Sequence, residues 1–363
     1  MKRFIRNIIL IFNVLAALSI CISYISVYVN PAVSVLPAFL GLAYPVVLVV
    51  NIAFVIFWLM MKKWWALVSL GAIVVGWQTM SAFFQFNFDK PVEQHSEEAF
   101  KVLSYNVRLF DLYGWSKNTD TRGNIFEFIE MEDADIMCFQ EYYSNPEKNL
   151  NITDTIVNKQ KADFSHVVFA NAEGKQYHFG VATFSFFPIV NKKEIQFENS
   201  NSICIISDLK INDDTVRVFN AHLQSVKFGF TDYNFIDSIE LKDEQQQIHG
   251  VFQILRKLKA AYIIRAEQAK IIAAEINNSP YEVIVCGDFN DTPVSYVYRT
   301  IKGELTDAFI ETGWGVGNTY NGLLPALRID YILHSNKLVS YNFRKTNVKY
   351  SDHFPVITWF HFL

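Results

Sequence analysis

Acidic residues are absent from the first 88 positions of this 363-residue chain; the first is Asp89. Between Arg6 and Asp89 the only charged side chains are Lys62 and Lys63. So long a stretch with so little charge excludes the wetted exterior of an ordinary soluble domain. Cysteine is scarce as well. Cys21, Cys138, Cys204 and Cys286 lie in apolar runs without Cys-x-x-Cys spacing, so no zinc site or disulfide framework reads out. Buried free thiols are the plainer account. There is no Gly-x-Ser-x-Gly elbow, no Walker loop and no His-Glu-x-x-His. Gly313-Trp314-Gly315-Val316-Gly317 has the glycines of a dinucleotide loop, yet it follows no strand and opens no helix. It reads as a flexible connection. Internal repeats and low-complexity tracts are lacking too.

The charge-poor part holds three apolar stretches, near residues 8–29, 39–61 and 65–84. Each approaches or exceeds the roughly 20 residues a helix needs to cross a hydrocarbon core. Residues 1–88 are therefore expected to be a membrane anchor of three transmembrane helices. The first stretch is too long for a signal peptide and lacks a small-residue cleavage site leading into a soluble start. Lys2, Arg3 and Arg6 precede the first span, and Lys62 and Lys63 separate the second from the third. Positive-inside counting puts the N-terminus and the lysine pair in the cytoplasm and everything after residue 88 outside it. The expected location is a multi-pass protein of the cell membrane with an extracytoplasmic (periplasmic or extracellular) domain.

Residues 89–97 read as a linker and 98–363 as one large domain. All 36 acidic residues fall after residue 88, whereas five of the 32 Lys and Arg precede it, so this part carries a net charge of −9. It gains no long-range attraction for a nucleic-acid backbone. Strand patterns fall at residues 100–107, 135–139, 166–170, 180–184, 203–211, 216–222, 283–289, 329–333 and 356–360. Helical periodicity appears at 122–132 and 250–276. Many strands with few helices predict two stacked sheets with helices outside, and polar motifs gathered where strand ends meet.

Those motifs carry the chemistry. Cys286-Gly287-Asp288-Phe289-Asn290-Asp291 ends an apolar run and presents Asp288 and Asn290 on one side, suited to a hard cation or phosphate oxygens. Glu141 follows the strand-like Ile136–Gln140. With Asn106, at the end of another strand, it makes an oxygen-only site suited to Mg²⁺ or Mn²⁺. Taken singly, Glu141 is an ordinary solvated strand end and Asn106 a turn former. Asp330 sits in a strand, opposite in direction to Ile329 and Tyr331, and needs a partner; His353 is the candidate, with an ion pair to Arg328 as the ordinary alternative. His222 ends an alternating strand next to Gln224-Ser225. Arg265 lies on the apolar stripe of the long helix, facing a phosphate or, more simply, an internal salt bridge.

In order, Asn106, Glu141, His222, Asp288 with Asn290, Asp330, and Asp352 with His353 resemble the endonuclease/exonuclease/phosphatase superfamily. Gly-Asp-Phe-Asn and Ser-Asp-His-Phe-Pro are its most specific pieces, and the resemblance covers about residues 98–363. It implies a four-layered α/β sandwich, two packed and mainly antiparallel sheets flanked by helices, and Mg²⁺-dependent cleavage of phosphate esters. It further implies that Glu141 is the principal metal ligand, with Asn106 and Asp352 in the metal and phosphate neighbourhood. Asp288 would orient or deprotonate the attacking water, and Asn290 would hold a phosphoryl oxygen. His353, aligned by Asp330, and His222 would stabilise the scissile phosphate from two sides. The chain departs from better-known members in its N-terminal spans and in the stretch 226–261, whose aromatics Phe228, Phe230, Tyr233 and Phe235 read as a lid or as a surface excursion.

The expectation is a membrane-anchored, divalent-metal phosphoesterase that takes a phospholipid head group or another small phosphodiester. Its other partner is the lipid bilayer, through the N-terminal spans. An extracytoplasmic nuclease is the alternative, less favoured by the acidic domain, and a catalytically inactive binding module of the same fold is a third. No protein partner can be inferred.

Overall fold

The computed structural model describes every residue except Met1, 88–98, 146, 148–149, 161, 173–174, 199, 227–234, 236–243 and 323–326. The expected linker and most of the aromatic stretch after residue 226 thus lie outside the described residues. The chain divides into two compact units. One comprises Met1–Trp77, Gln224–Lys270 and Val294–Arg299, and the other Gln78–Leu223, Ile271–Pro293 and Thr300–Leu363.

In the first unit the apolar residues form helices Lys2–Ile25, Leu36–Leu42, Tyr44–Met60 and Ala66–Val75. Pro37 and Pro45 sit in the opening turns of the second and third, where a missing N–H costs nothing. Among the described residues, Arg3–Ile25 is long and apolar enough to cross a membrane. Leu36–Leu42 and Tyr44–Met60, bent by 70°, pass the same test as a pair, whereas Ala66–Val75 has only 10 residues. A polar network runs through the interior of these helices, beside buried Ala17, Ile20, Leu48 and Ala72. Asn13 Nδ2 donates to Ser69 Oγ (2.5 Å), Trp58 Nε1 to Asn13 Oδ1 (2.9 Å), Ser69 Oγ to Asn51 Oδ1 (2.8 Å) and Asn51 Nδ2 to the Ala16 carbonyl (3.0 Å). Their exterior is apolar, with Phe4, Ile11, Leu18, Val46, Ile56, Leu67 and Val74 exposed. Two segments from later in the chain pack into the same unit. Phe39 meets Tyr262 edge-on at 5.8 Å between centroids, and Arg299 stands 4.1 Å over the Tyr28 ring.

The second unit is built on two mixed six-stranded sheets flanked by helices. One runs β13 (Leu338–Lys345), β14 (Val356–Phe362), β2 (Phe100–Asn106), β3 (Ile136–Tyr143), β5 (Lys175–Ser185), β4 (Phe164–Ala172). The other runs β10 (Thr306–Asp307), β12 (Asp330–His334), β9 (Glu282–Asp288), β8 (Asp214–His222), β7 (Ile203–Ile211), β6 (Ile189–Gln196). Each sheet has a single parallel pair, β2 with β3 and β8 with β9; every other neighbour is antiparallel. Val102, Ile136, Cys138 and Val356 of one sheet meet Val218, Ile284, Cys286 and Ile332 of the other in a dry core. Leu103, Tyr105, Met137 and Phe139, on the opposite side of the first sheet, pack with Ile125, Phe128 and Ile129 of helix Thr121–Glu132. A separate ribbon pairs β1 (Phe84–Phe86) with β11 (Trp314–Val316). The glycine-rich segment read as a flexible connection is thus partly a strand, because β1 supplies the ladder partner that no sequence pattern announces.

Candidate active site

Strand pairing dictates the centre of the site. The parallel register of β8 and β9 sets His222 opposite Asp288, and the antiparallel register of β12 and β9 sets Asp330 opposite Asp288 from the other side. Three polar residues therefore stand abreast at one sheet edge. Gly287 makes this possible. Its φ is +150°, and a Cβ there would lie 2.1 Å from the Ala221 carbonyl oxygen on the neighbouring strand. The other sheet contributes Asn106, the last residue of β2, and Glu141, inside β3. Glu141 breaks the strand: its φ is +47°, and the ladder to β5 shifts register between Phe139 and Tyr142. This bulge lets Gln140 point into the core, donating to Asn220 Oδ1 (2.8 Å), while the next side chain turns to the mouth. Asn290 also has a left-handed backbone, at φ +53°.

The side chains meet closely. Asn106 Nδ2 donates to Asp288 Oδ2 (3.0 Å), and the Asn290 amide donates to Asp288 Oδ1 (2.8 Å). Asn290 Nδ2 reaches the Leu223 carbonyl (3.1 Å). His353 Nδ1 lies 2.9 and 3.0 Å from the two Asp330 oxygens, so this carboxylate fixes the ring. The other ring nitrogen, Nε2, is 3.7 Å from Asp288 Oδ2. His222 Nε2 stands 3.7 Å from Glu141 Oε1 and 3.9 Å from Asp288 Oδ2, too far for a hydrogen bond to either. It is buried with no partner, a polar atom aimed into the site. Asp352 Oδ2 lies 3.4 Å from Arg108 Nε. Ser351 Oγ binds the Asn106 carbonyl (2.8 Å) and so ties the Ser-Asp-His segment to the end of β2.

Crowding of acids and imidazoles shifts their titration. Glu141 keeps 31% of its side chain open at the mouth. Protein nevertheless packs around the rest, and that burial, with the charges of Asp352 and Asp288, pushes its carboxyl up to about 7. Burial also raises Asp288, Asp330 adding to the effect while His353 and His222 oppose it. Burial disfavours a charged imidazole, and it lowers His222 despite Asp288. At His353 the same burial is outweighed by Asp330, Asp288 and Asp352, and its pKa lies well above the usual value. The two imidazoles are thus biased in opposite directions, His353 toward its cationic form and His222 toward its neutral one.

Seven of the expected residues therefore converge with Asn290: Asn106, Glu141, His222, Asp288, Asp330, Asp352 and His353. Arg265 is not among them. It belongs to the first unit, where its buried guanidinium donates to the Gln224 carbonyl (2.9 Å) and lies 4.8 Å over the Tyr262 ring. Reasoning from sequence missed two further participants. Arg108, beside Asp352, stacks on Trp115 at 4.7 Å. Asn220 forms a buried floor with Gln140 and the Ala182 carbonyl (2.9 Å). The alternation of β8 was the available signal, since it points Asn220 inward. Among the described residues, the group whose ligand atoms lie within 4.8 Å of one another is two carboxylates and an imidazole, Asp288, Asp330 and His353, none of them an expected metal ligand.

A family model described as the endonuclease/exonuclease/phosphatase family matches residues 103–353, and a model for a domain of unknown function matches residues 6–83. No curated protein matches the chain. Solved structures do. A Bacteroides thetaiotaomicron protein of the endonuclease/exonuclease/phosphatase family is 17% identical, with a TM-score of 0.51 over 76% of this chain and 100% of that one. The human Nocturnin catalytic domain with bound sulfate is 16% identical, with a TM-score of 0.50 over 74% and 97%. A Beutenbergia cavernae family protein is 13% identical, with a TM-score of 0.51 over 73% and 72%. At such identities the likeness is one of fold.

Proposed function

The chain belongs to the endonuclease/exonuclease/phosphatase family, and on that premise we propose that it is a membrane-anchored, Mg²⁺-dependent phosphodiesterase acting outside the cytoplasm, with Mn²⁺ as a substitute ion. The observation that carries the catalytic reading is the row His222, Asp288, Asp330, closed from the facing side by Asn106 and His353.

The residues fit a divalent ion. Asp330 has both oxygens engaged by His353 Nδ1, so Asp330 and His353 form a hydrogen-bonded pair with Asp288 standing 3.7 Å from the ring's other nitrogen. Glu141, Asn106 and Asp352 offer hard oxygen donors on the other side. Burial with the charges of Asp352 and Asp288 raises the Glu141 carboxyl, and a divalent ion among these oxygens would offset that crowding. When bound, Mg²⁺ would polarise the phosphoryl oxygen and neutralise charge there. The remaining work falls to the chain. Asp288, oriented by Asn106 and the Asn290 amide, accepts the proton of the attacking water. Cationic His353, held by Asp330, stabilises the negative charge that builds on the phosphate, and Asn290 takes a second oxygen. His222, neutral and unpaired at Nε2, faces the phosphate from the opposite strand and serves the leaving oxygen.

Anchoring is supported by the helices of the first unit. Their apolar exterior, around an interior that carries a hydrogen-bonded polar network, suits a lipid surround. A 24-residue helix spans about 36 Å, enough for one crossing. In the proposed arrangement the bent pair makes the second crossing. Ala66–Val75 with Trp77–Ser81 makes a third, short one, and the N-terminus lies in the cytoplasm.

Full-length protein in detergent should hydrolyse a phospholipid or small phosphodiester with Mg²⁺ and lose this on chelation. Asp288→Ala and His353→Ala should each lower the rate by about 10²–10⁴-fold with unchanged circular dichroism. Full activity in either variant removes the mechanism.

A further inference from the structure

The ribbon of β1 and β11 has one apolar face that none of the described residues covers. Phe84 pairs with Val316 and Phe86 with Trp314, so all four side chains project on the same side. They are 38%, 46%, 64% and 67% exposed respectively, an apolar density that a wetted surface rarely carries. The opposite side is fixed. Gln85 is buried and donates to the Ser81 carbonyl (2.6 Å). The segment is stapled within its unit by hydrogen bonds from three further donor residues. Gly317 N donates to the Phe83 carbonyl (2.9 Å), and Arg328, paired with Asp307, donates to the Ala82 carbonyl (3.0 Å). Asn87 Nδ2 reaches the carbonyls of Ile310, Glu311 and Gly313 (3.2, 3.1 and 3.0 Å). Arg328 lies two residues before Asp330, so the ribbon is joined through short, rigid links to the strand that bears the His353 partner.

We propose that this face is a membrane-docking surface whose partner is the interfacial zone of a lipid bilayer. The occupant follows from continuity. No charged residue occurs from Trp64 to Phe86, and β1 begins three residues after the helix ending at Ser81, so the apolar chain runs from the helices into the ribbon. Trp favours the headgroup boundary, and Phe buries at the acyl edge just beneath it. Docking there would hold the catalytic edge at a set height above the bilayer, which favours substrates presented by it. The inference rests on the anchoring reading above.

The test uses full-length protein carrying Cys21→Ala, the other three cysteines being buried. NBD is attached at Trp314→Cys or, as a reference, at Leu15→Cys in the first helix, and the protein is reconstituted in phosphatidylcholine vesicles. The expected result is blue-shifted emission at both sites, quenched by brominated lipid. Water-like emission at 314 with quenching at 15 overturns the docking proposal alone. Water-like emission at both overturns the anchoring reading with it. A blue shift at 314 that brominated lipid does not quench indicates a second copy or another protein, and overturns the proposal too. In a second arm, Phe86→Ser with Trp314→Ser should reduce turnover of vesicle-embedded phosphodiester about tenfold, equivalent to about 1.4 kcal/mol. Turnover of a soluble phosphodiester should be unchanged, and equal loss on both substrates overturns the proposal.

Discussion

Two departures from the ordinary meet at Glu141: a left-handed backbone and a carboxyl pushed up to about 7. Its model-compound value is 4.5, so the folded chain without metal holds a proton there that the unfolded chain releases. Stability from this group is therefore greatest in acid and declines as pH rises from about 4.5 to about 7. Raised Asp288 and His353 act in the same direction, and lowered His222 in the opposite one. Chelated protein should accordingly show a thermal midpoint that falls across this window, and Glu141→Gln should flatten the fall. Mg²⁺ should raise the midpoint more at pH 8 than at pH 5, because below about 7 protons compete for the same oxygens. An equal rise at both pH values would argue against Glu141 as the ligand. Gly287 is the second residue with a sharp expectation. Its φ of +150° and the 2.1 Å approach to Ala221 leave no room for a methyl group. Gly287→Ala should cost about 1–3 kcal/mol by denaturant unfolding and should displace Asp288, lowering activity as well.

At the scale of elements, the strands that were legible in sequence are the buried ones. β2, β3 and β9 bury nearly every side chain and read as apolar runs, and β8 reads through its alternation. β6 is a different case. Its Asn191-Lys192-Lys193-Glu194 stretch is an edge, exposed along most of its length, and carries no alternation to find. The bulge at Glu141 was equally silent, since it depends on pairing with β5 and not on local propensity. The site residues were identified through ordered motifs that resemble a family. Their adjacency was not readable from spacing, because His222, Asp288 and Asp330 come from strands separated by long connections and meet only through the ladder. The apolar helices show the converse. Their apolar composition was plain but their lengths were not, since the stretch 65–84, expected as one span, breaks into Ala66–Val75, Trp77–Ser81 and the start of β1. The network of Asn13, Asn51, Trp58 and Ser69 was invisible to hydropathy. Asn13→Leu would leave Trp58 Nε1 and Ser69 Oγ each short of a partner. It should destabilise the helices by about 1–2 kcal/mol in a detergent-titration unfolding assay; an unchanged midpoint would mean that the network carries no weight.

For the molecule as a whole, charge decides between substrates that the site alone would accept. The row of polar groups around Asp288 would serve a phosphodiester in a lipid or in a nucleic acid equally well. What differs is the surroundings. A duplex must be drawn in through many phosphate contacts, each releasing counterions, and a protein making 6–10 of them loses about 10³–10⁵ in affinity between 50 and 200 mM salt. This chain presents the opposite field, with all 36 acidic residues after position 88 against 27 Lys and Arg there. Arg108, the cation closest to Asp352 in the site, is already paired with it at 3.4 Å and stacked on Trp115 at 4.7 Å. A small head group needs only the cation and the two imidazoles. Turnover of a vesicle-borne phosphodiester should therefore change by less than about threefold between 50 and 200 mM NaCl at saturating Mg²⁺. A loss of a hundredfold or more over that range, together with faster cleavage of single- or double-stranded DNA than of lipid, would make the protein a nuclease despite its acidic surface.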